Sequence, residues 1–315
     1  MNSAPNEKLL ARFEGCLLGL AVGDALGGRF EAQSAEHLAA RFHNVAALIH
    51  YPNDELWYTD DTQMMIGVAE TLADYGEITE VALCRAFVAN YVPTRGYGRG
   101  ARAVIEAMED GRDYRSVAEQ YFPGGSFGNG AAMRVAPVGL LFCDRPERMR
   151  LQARLSSLPT HMHPLGIEGA VLIAAAVSCA TRATKFASDA FFEELLDTCT
   201  TTEFRRRIES ASTIRDKSEL TSLGNGIDAL NSVVTAIACF ALTPHSYDET
   251  VGNAVLLGGD TDTIAAMAGA ISGAYLGLEK IPARLLDLLE DGPKGRTYIK
   301  GLAGRLFDVY SRKSP

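Results

Sequence analysis

ARFEGCLLGLAVGDAL, residues 11–26, sets glycine at every fourth position (Gly15, Gly19, Gly23) within an otherwise largely apolar run. TIAAMAGAISGAYLGL, residues 263–278, repeats the device with Gly269, Gly273 and Gly277. Inside a helix each glycine costs about 1 kcal/mol relative to alanine, so three on one face need a reason. Small residues at this spacing let two helix backbones approach closely, and the two segments are expected to cross each other. The alternative is that small residues merely fill a crowded core.

Working outward, apolar residues keep the helical period along most of the chain. In residues 62–74, Met64, Met65, Val68, Ala69, Leu72 and Ala73 form one stripe. Similar patterns cover 79–91, 101–108, 146–155, 166–181, 189–196, 226–241, 247–256, 282–290 and 295–309, and residues 115–121 also read as helical. Convincing period-2 segments are missing, and the best strand candidate, residues 46–51, is short. No Pro/Gly/Ser-rich linker and no repeat divides the sequence, so residues 1–315 are expected to form a single, compact, all-α, multi-helix orthogonal bundle. Residues 181–222 read as a peripheral helical insertion.

With 47% hydrophobic and 22% charged residues, the composition excludes intrinsic disorder. Lys+Arg 30 against Asp+Glu 39 gives a net charge of −9, which excludes nucleic acid as the main partner. The 6 cysteines are widely spaced with no CxxC pair, and no basic-then-apolar leader opens the sequence, so a cytoplasmic setting is expected. The longest uncharged runs, 229–244 and 263–278, fall short of the ~20 residues of a membrane helix.

Two acidic clusters, TDDT at 59–62 and DTDT at 260–263, each stand immediately before an apolar helix. One Asp or Thr there is ordinary helix capping. Four carboxylates exceed what capping needs, and adjacent like charges repel unless something neutralises them. Hard oxygen donors suit Mg²⁺, Mn²⁺ or Ca²⁺, and convergence of the clusters leaves room for two ions at the ~3.5–4 Å spacing of two-metal sites. Glu31, after the first glycine-rich helix, is a candidate acid or base beside such a cluster, and Asp24 is read as a brace for the loop that follows that helix.

GGSFG at 124–128 satisfies G-x-S-x-G, but Pro123 and the helical pattern before it replace the strand that a nucleophile elbow needs. The loop is expected to enter a helix at Ala131 and to present backbone N–H groups to a phosphate or carboxylate. His161 and His163 have the spacing of a metal pair with no third soft ligand nearby, and read better as a loop with one hydrogen-bonding histidine.

Taken in order, GCLLGLAVGDALGGRFE (15–31), TDDT (59–62), GNGAAMR (128–134), Thr160-His161 and GGDTDT (258–263) make the chain resemble the ADP-ribosylglycohydrolase family. That family includes dinitrogenase reductase-activating glycohydrolases, ADP-ribosylarginine hydrolases and ADP-ribosylserine hydrolases. The resemblance implies an all-α fold with a cleft holding two Mg²⁺ or Mn²⁺ ions on Thr59, Asp60, Asp61, Asp260, Asp262 and Thr263. It implies a catalytic role for Glu31, with Asp60 or Asp61 second, and a substrate cradle of Gly98, Gly125, Ser126, Phe127, Asn129, Gly130 and His161. One departure stands out, since Arg99 occupies the place of an Asp found in the nitrogenase-regulating members, so a mechanism with that Asp as base does not transfer.

The expectation is therefore a metal-dependent hydrolase acting on ADP-ribosylated protein, most directly at the N-glycosidic bond of ADP-ribosylarginine. The partner would be a modified protein or a small molecule containing ADP-ribose, with no membrane involved and the enzyme a monomer. Alternatives are cleavage of O-linked ADP-ribose (ADP-ribosylserine or O-acetyl-ADP-ribose), a non-catalytic ADP-ribose-binding module and a metal-dependent phosphoesterase.

Overall fold

The computed structural model describes residues 3–313, which form helices and, among the described residues, no strand; extended pairing is limited to three isolated β-bridges. In chain order the helices are α1 (Ser3–Gly27), α2 (Ala35–Arg41), α3 (Val45–His50), α4 (Asp60–Tyr75), α5 (Glu80–Asn90) and α6 (Arg99–Glu109). Then follow α7 (Tyr114–Tyr121), α8 (Ala136–Leu141), α9 (Pro146–Ser157), α10 (Pro164–Arg182), α11 (Ser188–Thr198) and α12 (Thr202–Ser212). The last are α13 (Ala229–Leu242), α14 (Tyr247–Leu256), α15 (Thr261–Leu276), α16 (Ala283–Leu288) and α17 (Arg296–Lys313). The all-α class read from periodicity is the class the chain adopts.

The glycine register does what its spacing predicts. A Cβ placed on Gly15 would lie 2.6 Å from the Gly273 carbonyl oxygen, and one on Gly19 2.6 Å from that of Gly269. On Gly23 it would lie 2.2 Å from the oxygen of Ala265, and on Gly27 2.3 Å from that of Thr261. Numbers rise along α1 as they fall along α15, so the helices run antiparallel with their backbones in direct contact. Tyr247 of α14 fills the notch and donates its hydroxyl to the Gly19 carbonyl at 2.7 Å. Thr261 Oγ1 donates to the Gly27 carbonyl at 2.8 Å, which ties the last turn of α1 to the first turn of α15.

Around this pair sit α10 and α13, each apolar on nearly every face and buried accordingly. By length and composition α10 is apolar enough to cross a membrane, although Glu168 interrupts its uncharged run. Its most apolar window is 83% buried, against α8, α9, α13 and α15. Glu168 accepts the backbone N–H groups of Thr200 and Thr201, which anchors the segment leading into α12. Residues 181–222 hold α11, α12 and a 3₁₀ turn, with Leu195, Phe204 and Ile208 turned inward.

Two local expectations are corrected. Residues 46–51, the best strand candidate, lie largely within α3, where the Asn44 side chain accepts the Ala47 N–H and starts a helix too short to display its period. The loop at 124–130 does not enter a helix at Ala131; residues 130–134 form turns, and α8 begins at Ala136 with Pro137 in its first turn.

Substitution separates the two kinds of glycine. Gly273→Ala would put a Cβ 1.9 Å from the Gly15 oxygen, backbone against backbone, and is expected to destabilise by the about 1–3 kcal/mol of overpacking or more. Gly301→Ala, on an exposed face of α17 with nothing within 4 Å of the new methyl, should instead be neutral or raise the melting temperature. Circular dichroism melts of the two variants check this.

Candidate active site

The antiparallel register brings the last turn of α1 beside the first turn of α15, and the loop after α1 folds back over that junction. Ala32 N–H donates to the Gly259 carbonyl at 2.8 Å, and Gly259 N–H to that of Gln33 at 2.9 Å. Gly258 and Gly259 have φ of 69° and 75°, and a Cβ on Gly259 would lie 2.3 Å from the Asn225 oxygen, so this turn needs glycine. Ala32 is the sole non-glycine residue with positive φ (62°) among the described residues, a strained conformation immediately after Glu31. Glu31, Asp260 and Asp262 thereby bring carboxylate oxygens within 4.8 Å of one another.

The second acidic cluster is delivered by Asp24. Fully buried on the last turns of α1, its carboxylate accepts the N–H groups of Thr59 and Thr62, each at 3.0 Å, and the Thr62 hydroxyl at 2.5 Å. The expected brace for the following loop is thus the anchor of α4, acting across 35–38 residues. Thr59 caps α4 as well, accepting from Asp61 N–H at 3.3 Å, and Asp60 N–H donates to the Arg95 carbonyl at 2.7 Å. Arg95 is held in turn by the buried Glu290, whose carboxylate also accepts Tyr58 N–H.

So assembled, the carboxylates raise one another's pKa values. Burial, then Asp24, pushes Asp60 up to about 7, and burial, then Asp260, pushes Asp262 up to about 9. Asp61 is driven well above the carboxylate range by burial and Asp262, and Glu31 is raised by burial and Asp260. Burial raises Asp260 too, and lifts Asp24 to about 6 against the pull of its hydrogen bonds. Among the described residues none of these six groups forms an ion pair with Lys or Arg. Asp61 Oδ2 is buried with no hydrogen-bond partner, while its Oδ1 receives the Thr263 hydroxyl at 3.4 Å. Orphaned oxygen, hydroxyls and crowded carboxylates form the donor set that a hard divalent cation takes. Of the ligands expected from sequence, Asp260 and Asp262 meet beside Glu31, Thr263 reaches Asp61, Asp60 and Asp61 feel the Asp260 charge, and Thr59 caps the helix that Asp60 and Asp61 begin.

The loop at 124–130 is tied to the cluster by Asn129, whose Nδ2 donates to Asp260 Oδ2 at 2.5 Å and to Ser232 Oγ at 3.0 Å. Gly124 and Gly125 have φ of 80° and 94°, and a Cβ on Gly125 would lie 2.4 Å from the His163 nitrogen. Ser126 Oγ accepts Gly128 N–H at 3.2 Å and follows a loop, not a strand, so the nucleophile reading has no support in the structure. Gly130 packs on His161, where a Cβ would come within 2.8 Å of Cε1. The Phe127 ring is exposed and edge-on to His163, while His163 caps α10 through Leu165 N–H, which dissolves the two-histidine metal pair. Gly98 is the uncapped residue before α6; two residues earlier, a Cβ on Gly96 would lie 3.5 Å from Asp60 Oδ1. Arg99 is exposed with no ion-pair partner among the described residues. A separate groove of about 440 Å³, lined by Val81, Cys84, Val88, Met108 and Tyr114, gathers none of these groups.

The family model for ADP-ribosylglycohydrolase matches residues 5–315. ADP-ribosylhydrolase ARH3 from Mus musculus is 35% identical over 319 residues, covering 87% of this chain and 86% of its own. An uncharacterized protein from Archaeoglobus fulgidus is 30% identical, covering 96% and 97%. A solved structure described as an ADP-ribosylglycohydrolase-related protein complex superposes with a TM-score of 0.75 at 25% identity, over 96% of this chain and 99% of that one.

A carboxyl whose pKa rises on folding holds its proton more tightly folded than unfolded, so stability is greater at low pH and is lost as pH climbs. In EDTA the melting temperature should therefore fall as pH rises from about 4, the unfolded value, towards the Asp262 value of about 9. Under the same conditions at about pH 8, Asp262→Asn should melt higher than wild type, by the equivalent of about 1 kcal/mol or more. Asp24→Ala should do the opposite, losing about 1–3 kcal/mol as the N–H groups of Thr59 and Thr62 lose their acceptor. Calorimetry in EDTA distinguishes the two.

Proposed function

The chain belongs to the ADP-ribosylglycohydrolase family, and on that premise we propose that it is a metal-dependent hydrolase that releases ADP-ribose from an O-linked acceptor. The observation that carries the reading is the meeting of Glu31, Asp260 and Asp262 within 4.8 Å beside the unpartnered Asp61 oxygen. The arginine linkage expected first from sequence gives way to the O-linked alternative, which likeness to ARH3 favours.

In this reading Thr59, Asp60, Asp61, Asp260, Asp262 and Thr263 would hold two Mg²⁺ or Mn²⁺ ions, which would neutralise the carboxylates and supply Lewis-acid chemistry there. Glu31 sits exposed at the mouth of the cluster, next to the strained Ala32, and its pKa is raised by desolvation and then by Asp260, as suits a group that exchanges a proton. It takes the proton of the attacking water, or returns one to the leaving oxygen, as positive charge develops at the ribose C1″. Gly125, Ser126, Phe127, Asn129, Gly130, His161 and Gly98 cradle the rest of ADP-ribose, and Asn129 fixes the cradle's distance from the acidic cluster. The net charge of −9 is no obstacle, since cations at the cluster and loop N–H groups reverse the sign locally.

The decisive assay offers O-acetyl-ADP-ribose and matched serine- and arginine-linked ADP-ribosyl peptides, each with Mg²⁺, Mn²⁺ or EDTA. Free ADP-ribose should appear from the O-linked substrates in a metal-dependent way, and Glu31→Gln should lower kcat by about 10²-fold or more. No release from any substrate, with ADP-ribose still bound, would make the protein a reader. Phosphate release from simple esters would make it a phosphoesterase.

A further inference from the structure

Arg134 closes the GNGAAMR segment, and neither the fold nor the acidic cluster accounts for its burial. Its guanidinium is fully buried with no carboxylate partner among the described residues. Nη2 donates to the Ser156 carbonyl at 3.0 Å and to Thr160 Oγ1 at 2.8 Å, and the cation lies 4.7 Å from the centre of the Phe87 ring. Burying an unpaired cation is costly, so its one side-chain oxygen contact calls for an explanation. Thr160 Oγ1 lies 2.7 Å from His161 Nδ1.

One arrangement of this chain gives the Thr160 hydroxyl hydrogen an acceptor. Arginine only donates, so Thr160 Oγ1 accepts from Arg134. The Thr160 hydroxyl hydrogen then has His161 Nδ1 as its acceptor, because no other partner for it is present among the described residues. Burial lowers Arg134 to about 9, which leaves it charged at neutral pH. Burial, then Arg134, lowers His161 to about 3, which leaves the imidazole neutral. With Nδ1 accepting, the ring proton resides on Nε2, the nitrogen that faces the cradle: a Cβ on Gly130 would lie 3.1 Å from it, and one on Gly128 3.6 Å.

We propose that Arg134 and Thr160 are positioning residues that lock His161 in its Nε2–H tautomer, making it a neutral hydrogen-bond donor to the anionic part of a ligand in the 124–130 loop. The donor role rests on the ADP-ribose reading; the tautomer chain does not. The polarity is the reverse of a Ser-His-Asp triad, in which an acid accepts Nδ1–H and frees the Nε2 lone pair to act as base. Here a cation behind the hydroxyl enforces the opposite tautomer, and His161 cannot activate Ser126. A neutral donor also binds a diphosphate without placing another charge beside the metal-site carboxylates.

Long-range ¹H–¹⁵N correlation on ¹⁵N-histidine-labelled protein, with His161 assigned by its loss in His161→Gln, reads the tautomer directly. Wild type should show a neutral imidazole protonated at Nε2. Thr160→Val, which keeps shape and removes the hydroxyl, should release it to a mixed or Nδ1–H state and weaken ADP-ribose binding about tenfold, seen in KM more than in kcat. Thr160→Ser should restore both. His161 found cationic or protonated at Nδ1 in wild type, or unchanged in Thr160→Val, overturns the proposal whatever the ligand. The Nε2–H tautomer in a wild type that binds no ADP-ribose overturns the functional reading and the donor role together, and leaves the tautomer chain standing.

Discussion

Everything at the candidate site hangs on the backbone contact between α1 and α15. Helices normally keep 8–10 Å between their axes because side chains intervene; here glycine on both partners removes the side chains along the seam. Such a seam tolerates no slip, because a shift of one residue would drive a Cβ into a carbonyl. It therefore fixes the height at which the end of α1 meets the start of α15. Asp24 and Glu31, at and beyond the end of α1, face Asp260 and Asp262 because of that height. A looser helix pair of the same length could bring the same residue types together only approximately.

The second cluster is held by a different kind of bond. Asp24 adds to the local Thr59 cap of α4 a second one reached through space, and its burial would be unfavourable were its oxygens not filled by Thr59 and Thr62. One carboxylate thus joins the end of α1 to the start of α4. The arrangement concentrates negative charge that the protein alone does not balance, and stability yields to function there, as functional sites commonly require.

Legibility in the sequence followed the range of the forces involved. Helical stripes such as Met64, Met65, Val68 and Leu72 are local and periodic, so they could be read, and the glycine seam could be read because its spacing repeats on both partners. The acidic clusters showed themselves because TDDT and DTDT carry more charge than capping explains. Six-residue α3 could not be told from a strand, since one and a half turns do not establish a period. Asp24 and the Arg134–Thr160 link were opaque for another reason, as their partners lie 26–38 residues away and a hydrogen bond at that separation leaves no trace in spacing.

The buried charges have an internal logic. Arg134 is close enough to Asp60 to be felt by it, yet its donors face Ser156 and Thr160 and make no ion pair with any acid of the cluster. A lysine or arginine reaching the cluster would neutralise it permanently and occupy the oxygens that a divalent ion and a ribose need. With the fully buried Arg134 turned away and committed to Ser156 and Thr160, the fold leaves the acids to be balanced by something exchangeable. The same turn gives the cradle a donor that adds no charge. Cluster and cradle then meet through a single neutral side chain, Asn129, which bonds Asp260 without competing for its charge.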